Sequence, residues 1–127
     1  MRLALAVALA LLAGCGSPAA LHVHRDGVTL HANSDDFAEV NLVMHQGDTV
    51  AYSWSATHEA AFNIHSHTVD GTRAWESRLA SGDQRTFTAP RDGNFSLRWE
   101  SLGQADLDLT YDVTGTAALD PSHPVVP

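Results

Sequence analysis

The chain has 127 residues, with fifteen acidic side chains against seven arginines and no lysine, for a formal charge of -8. An acidic chain with scattered arginines lacks the basic face that phosphate requires, which argues against nucleic acid as a partner and against adhesion to anionic lipid through protein charge. Cys15 is the single cysteine, so an intramolecular disulfide is excluded and stability has to come from a buried core.

At the N-terminus Arg2 precedes an apolar run, Leu3 to Leu12, made only of Leu, Ala and Val, and the run meets Leu12-Ala13-Gly14-Cys15. A bilayer needs ~20 residues at 1.5 Å each, so this stretch reads as a removable signal peptide over residues 1–14 rather than a span. Its end resembles the lipobox of bacterial lipoproteins. The resemblance implies cleavage before Cys15, transfer of a diacylglyceryl group to the Cys15 thiol, and anchoring through that lipid in the bacterial cell envelope, facing the periplasm. Several acyl chains make such an anchor durable where one gives only marginal binding. No aspartate follows Cys15, which favours the outer over the inner membrane. Cleavage removes Arg2, takes the formal charge from -8 to -9 and leaves 113 residues, enough for one domain with its own core. Residues 15–20 read as a tether.

From Leu21 to Thr114 short alternating runs are divided by Asp26-Gly27, Gly47-Asp48, Asp70-Gly71, Gly82-Asp83, Asp92-Gly93 and Gly103, all read as turns. Between them apolar residues alternate: Val40, Leu42 and Met44; Val50, Tyr52 and Trp54; Phe62 and Ile64; Phe95, Leu97 and Trp99; Leu107, Leu109, Tyr111 and Val113. Period two marks strands with one face in a core, and burying five such faces predicts an all-β, antiparallel β-sandwich over 21–114 with Trp54 and Trp99 at its centre. Trp75, between two of these strands, marks a candidate binding edge. Residues 115–127, rich in Ala and Pro and without period, read as a flexible tail.

The order Gly47-Asp48-Thr49-Val50, Tyr52-Ser53-Trp54, Phe62-Asn63-Ile64-His65-Ser66-His67, Phe87-Thr88-Ala89-Pro90, Arg91-Asp92-Gly93 and Leu97-Arg98-Trp99 resembles GOLD-like, emp24-related domains over about Phe37 to Thr114. The resemblance implies a jelly-roll-like sandwich that binds other molecules, with no catalytic residues to carry over. The transmembrane helix, coiled coil and disulfide of eukaryotic members are not matched here, so their role in cargo selection is not transferred.

Eight histidines stand out in an acidic chain of this size. With Phe62 and Ile64 on the core face, Asn63, His65 and His67 project from the other, where two imidazoles at i and i+2 can share a metal ion. His58 and His45 are the candidates for a third ligand, with Asn63 and Glu59 as acceptors that orient an imidazole. Were Asp26-Gly27 a two-residue hairpin turn, His22 would pair with His31, and His22, His24 and His31 would form a second cluster. Such sites suit Cu²⁺ or Zn²⁺, copper ahead of zinc by the Irving–Williams order. A blue-copper centre is excluded, because the only cysteine is consumed by lipid.

No nucleophile elbow or phosphate loop occurs, so an enzyme is not expected. Two readings stand: metal binding through surface histidines, or a metal-free interaction or assembly module for an envelope protein partner. For the anchor, replacing Cys15 with Ala is expected to move the protein from the membrane fraction to the soluble periplasmic fraction and to abolish labelling by a radioactive fatty acid.

Overall fold

The alternating apolar residues converge on one core, which holds Trp99, Tyr52, Tyr111, Phe62, Phe95, Leu97 and Ile64 almost fully out of solvent. The computed structural model describes residues 20–123 and 125–127; the signal peptide, the lipobox and Cys15 lie outside the described residues. Seven antiparallel strands follow in order: β1 (Leu21–Leu30), β2 (Phe37–Met44), β3 (Thr49–Thr68), β4 (Gly71–Thr88), β5 (Gly93–Ser101), β6 (Leu107–Gly115) and β7 (Ala118–Leu119). The protein is an all-β antiparallel sandwich, nearly closed like a barrel, and among the described residues no helix occurs.

Hydrogen bonding joins the strands in the order β1-β6-β3-β5-β2-β7, with β4 pairing β3. The first part of β3, Val50–Ala56, lies along β6, and the second, Ala60–His67, lies along β5. The change of neighbour coincides with a break in the β3/β4 register between Ser55 and Ala60. A strand that bends at such a break can serve both layers, and its apolar residues point inward on either side of it.

Tyr52, Trp54 and Trp99 all pack around Phe62, with ring centroids 5.0, 5.7 and 5.3 Å from its ring. Trp99 also stacks on Tyr111 at 4.6 Å, joining β5 to β6 across the core. Aromatic pairs at these distances contribute ~0.5–1.5 kcal/mol each beyond their area.

Two glycine dipeptides expected as turns lie inside strands. Asp26-Gly27 is a bulge: Arg25 pairs with Tyr111 and Val28 with Leu109, so β1 continues along β6, and the Thr110 hydroxyl donates to Asp26 Oδ1 at 2.7 Å. Gly27 takes the left-handed conformation, φ 66°, that the bulge needs. Gly82 pairs with Ser55 in the β3/β4 ladder, where a Cβ would approach the Trp54 carbonyl oxygen to 2.9 Å. Close approach of a neighbouring backbone, not a reversal, explains that glycine.

The segment expected as a flexible tail is also structured. Ala118 and Leu119 pair with Val43 and Leu42 of β2, and Ala117 and Asp120 are buried. The Asp120 N–H donates to the Asn41 carbonyl at 2.9 Å, and Val126 exchanges backbone hydrogen bonds with Glu39 at 3.1 and 3.3 Å. The outer edge of β2 presents backbone groups that need partners, and these can be met by a segment with no side-chain period.

Gly115 ends β6 against both Leu21 and Val50, with φ 155°, and a Cβ there would lie 2.1 Å from the Thr49 carbonyl oxygen. Gly115→Ala is therefore expected to destabilise the domain by ~2–3 kcal/mol, a fall of roughly 10 °C or more in Tm by calorimetry. An unchanged Tm would show that the contact relaxes freely.

Candidate metal centre

The outward faces of β2, β5 and β3 form one polar surface. Pairing places Glu39 opposite Arg98 and Arg98 opposite Asn63; the next rung runs Asn41, Ser96, His65. Ser96 is small and its hydroxyl is turned to Asn41 Oδ1 at 2.6 Å, which lets longer side chains from the flanking strands meet over β5. Among the described residues one set of three metal-ligating side chains converges: donor atoms of Glu39, His65 and His67 all lie within 4.8 Å of one another. An ion held at ~2.0–2.1 Å from each donor sets the donors ~3–4 Å apart, so side chains already this near need only small adjustments to ligate.

His65 and His67 meet edge to face, ring centroids 4.9 Å apart. Asn63 Oδ1 lies 2.7 Å from His65 Nδ1. Assigned as the amide oxygen it can only accept, so Nδ1 carries the hydrogen and Nε2 keeps the lone pair for a ligand. Burial pushes the His65 pKa down, with the neighbouring Glu39 charge opposing that shift. A neutral imidazole is the form that binds metal.

Glu39 is buried and accepts from Arg98 Nη1 through Oε2 at 3.1 Å. Arg98 also donates to Glu100 and covers the Phe37 ring at 3.8 Å. One arginine between two carboxylates leaves this group at -1, and Glu39 Oε1 remains for a cation. Two imidazoles and one carboxylate are a donor set for Zn²⁺ or Cu²⁺.

The third-ligand candidates from sequence lie elsewhere. His58 is exposed at the β3 pairing break beside Ser101 and Leu102, seven residues before His65 and so roughly 20 Å along the strand. His45 follows the end of β2, with Nδ1 3.9 Å from Asp92 Oδ2. Glu59 lines the same surface as His58. Glu39 takes the third place instead. Its alternation with Val40 and Leu42 signalled an outward face, but not that β2 would lie two strands from His65.

The second cluster is corrected too. Because Asp26-Gly27 is a bulge, His22 and His24 pair along β6 with Thr114 and Asp112, and His31 lies beyond the strand end. Asp112 Oδ2 is 3.0 Å from His22 Nε2 and 3.2 Å from His24 Nδ1, a carboxylate between two imidazoles. His31 Nδ1 is 2.7 Å from Asp36 Oδ2. Trp75 is not a free binding edge: its indole N–H donates to Ser66 Oγ at 2.8 Å and Arg73 covers its ring at 4.0 Å.

Neither a protein-family model nor a curated protein sequence matches the chain.

His31 and His65 should titrate on opposite sides of the ordinary imidazole value, about 6.5. The hydrogen bond to Asp36 raises the His31 pKa, so the contribution of this pair is complete below the unfolded value and is lost as pH rises through the folded one. The lowered Asp36 pKa gives the other limit, loss as pH falls through its folded value. For His65 the neutral form is favoured on folding, so its contribution is complete above the unfolded value and is lost as pH falls toward the folded one. In an NMR titration Asp36→Asn is expected to bring His31 down toward 6.5 and leave His65 unmoved; an unmoved His31 would remove Asp36 as the cause.

Proposed function

We propose that this chain is a lipid-anchored protein of the bacterial envelope, facing the periplasm, whose β-sandwich binds a transition metal, copper ahead of zinc, for buffering, delivery or sensing. The observation that carries the reading is the convergence of Glu39, His65 and His67 from two strands that are not neighbours in the sheet. An exposed His-x-His alone is a common surface feature; a buried carboxylate brought to it by the fold is a second, independent contribution. Asn63 and Arg98 hold the first imidazole and the carboxylate in place, as outer partners of metal ligands do. Copper leads because nitrogen and oxygen donors follow the Irving–Williams order. The lipobox resemblance supplies the anchor and compartment, and the GOLD-like resemblance supplies the expectation of a binding domain rather than an enzyme.

A metal-free interaction module is the second reading, favoured by the long strand β4, which pairs only with β3 and carries exposed Leu79 along its length. An unpaired strand edge can accept a strand from another protein.

Calorimetry separates the two. Cu²⁺ and Zn²⁺ are expected to bind the purified mature chain with one ion per chain at micromolar or tighter affinity. His65→Ala/His67→Ala should abolish this binding, and Asn63→Ala should weaken it by ~10–100-fold. No heat of binding from the unaltered protein would leave the interaction module as the better account.

A further inference from the structure

Beside His67 the outer face opens into a cleft of about 480 Å³, whose walls include Glu39, Asn41 and Phe37 on one side and Asp120, His123 and Val126 on the other. The second wall belongs to the C-terminal segment. It is pinned by backbone bonds to residues two apart on β2, Asp120 to Asn41 and Val126 to Glu39, and His123 lies between these two anchors in the sequence.

His123 is the imidazole of that wall. Its Nδ1 lies 3.0 Å from Asp120 Oδ2. Asp120 is buried, and its carboxylate also accepts from Asn94 Nδ2 at 3.1 Å and from the Ser122 N–H and hydroxyl at 2.9 and 2.6 Å. A carboxylate held this firmly keeps the hydrogen on Nδ1 and leaves Nε2 with its lone pair. Metal-ligating histidines are oriented in the same way by carboxylates and amides, and His65 has the corresponding arrangement with Asn63. His67 and His123 line the cleft from distant parts of the chain, and His123 carries its own acceptor as His65 does.

We propose that His123 is a further ligand of the metal bound by Glu39, His65 and His67, its side chain turning into the cleft that Glu39 and His67 line. The inference rests on the metal-binding reading of those three residues. His123 stands outside the set whose donors lie within 4.8 Å, so its side chain has to turn inward on binding. Its side chain is 67% exposed, so turning it inward breaks little packing. Three nitrogens and one carboxylate oxygen would complete four-coordination.

The test uses the purified mature chain with Cu²⁺ as the probe, comparing the unaltered protein, His123→Ala, Asp120→Asn and His65→Ala/His67→Ala by calorimetry and by electron paramagnetic resonance. In His123→Ala, Cu²⁺ affinity is expected to fall by ~10–100-fold with one fewer nitrogen coupled to copper, while the metal-free Tm is unchanged. Asp120→Asn should weaken binding with the nitrogen count retained. Copper should also slow hydrogen exchange at Ser122 and His123 in the unaltered protein, and should not do so in His123→Ala. Unaltered affinity and spectrum in His123→Ala, with binding still lost in the double variant, would overturn the role of His123 and leave the three-residue site standing. Absence of copper binding in the unaltered protein would overturn both.

Discussion

The break in pairing between Ser55 and Ala60 is the constraint on which the rest of the molecule depends. β3 has twenty residues, and no single flat neighbour could pair all of it while the strand also wraps a core. By releasing β4 for a few residues and exchanging β6 for β5, it contributes Val50, Tyr52 and Trp54 to one side of the interior and Phe62 and Ile64 to the other. Phe62, packed against Tyr52, Trp54 and Trp99, joins the two sides. Gly82 belongs to the same device, because a side chain there would push β4 away from the Trp54 carbonyl.

That bend gives the two outer faces different chemistry. Along β1 and β6 the histidines are exposed and bracket Asp112, whose charge they stabilise. Along β2, β5 and β3 the polar residues are partly covered, so a charge there has weaker screening and must be matched by a neighbour. Glu39 is matched by Arg98, and Arg98 by Glu100 as well. Both faces set a negative charge beside two imidazoles; what sets this one apart is that Glu39 and His65 are buried, whereas Asp112 and its two histidines are open to solvent.

The C-terminal segment has two roles that share one cause. β2 would otherwise end the sheet with an open edge, and pairing by Ala118, Leu119, Asp120 and Val126 satisfies it. Asp120, His123 and Val126 of that segment line the same cleft as Glu39 and His67. An edge-covering segment thereby becomes a wall of the cleft.

The sequence by itself determined the all-β class, the inward and outward faces of most strands, the burial of Trp54 and Trp99, and the shared outward face of Asn63, His65 and His67, because the period of two is a local property of the chain. It also determined the absence of an internal disulfide. Which glycines turn the chain was not legible, since a bulge, a close backbone approach and a reversal all favour the same residue; Asp26-Gly27 and Gly82-Asp83 became legible only once their partners were in place. The pairing of Ala118, Leu119, Asp120 and Val126 with β2 escaped a reading of side-chain pattern because it is made by backbone groups. Tertiary structure alone decided that Glu39, rather than His58 or His45, stands with His65 and His67, and that His22 and His24 face Asp112 instead of His31. Strand order in the sheet is set by long-range packing, and one strand's neighbours determine which of its outward side chains can reach a common point.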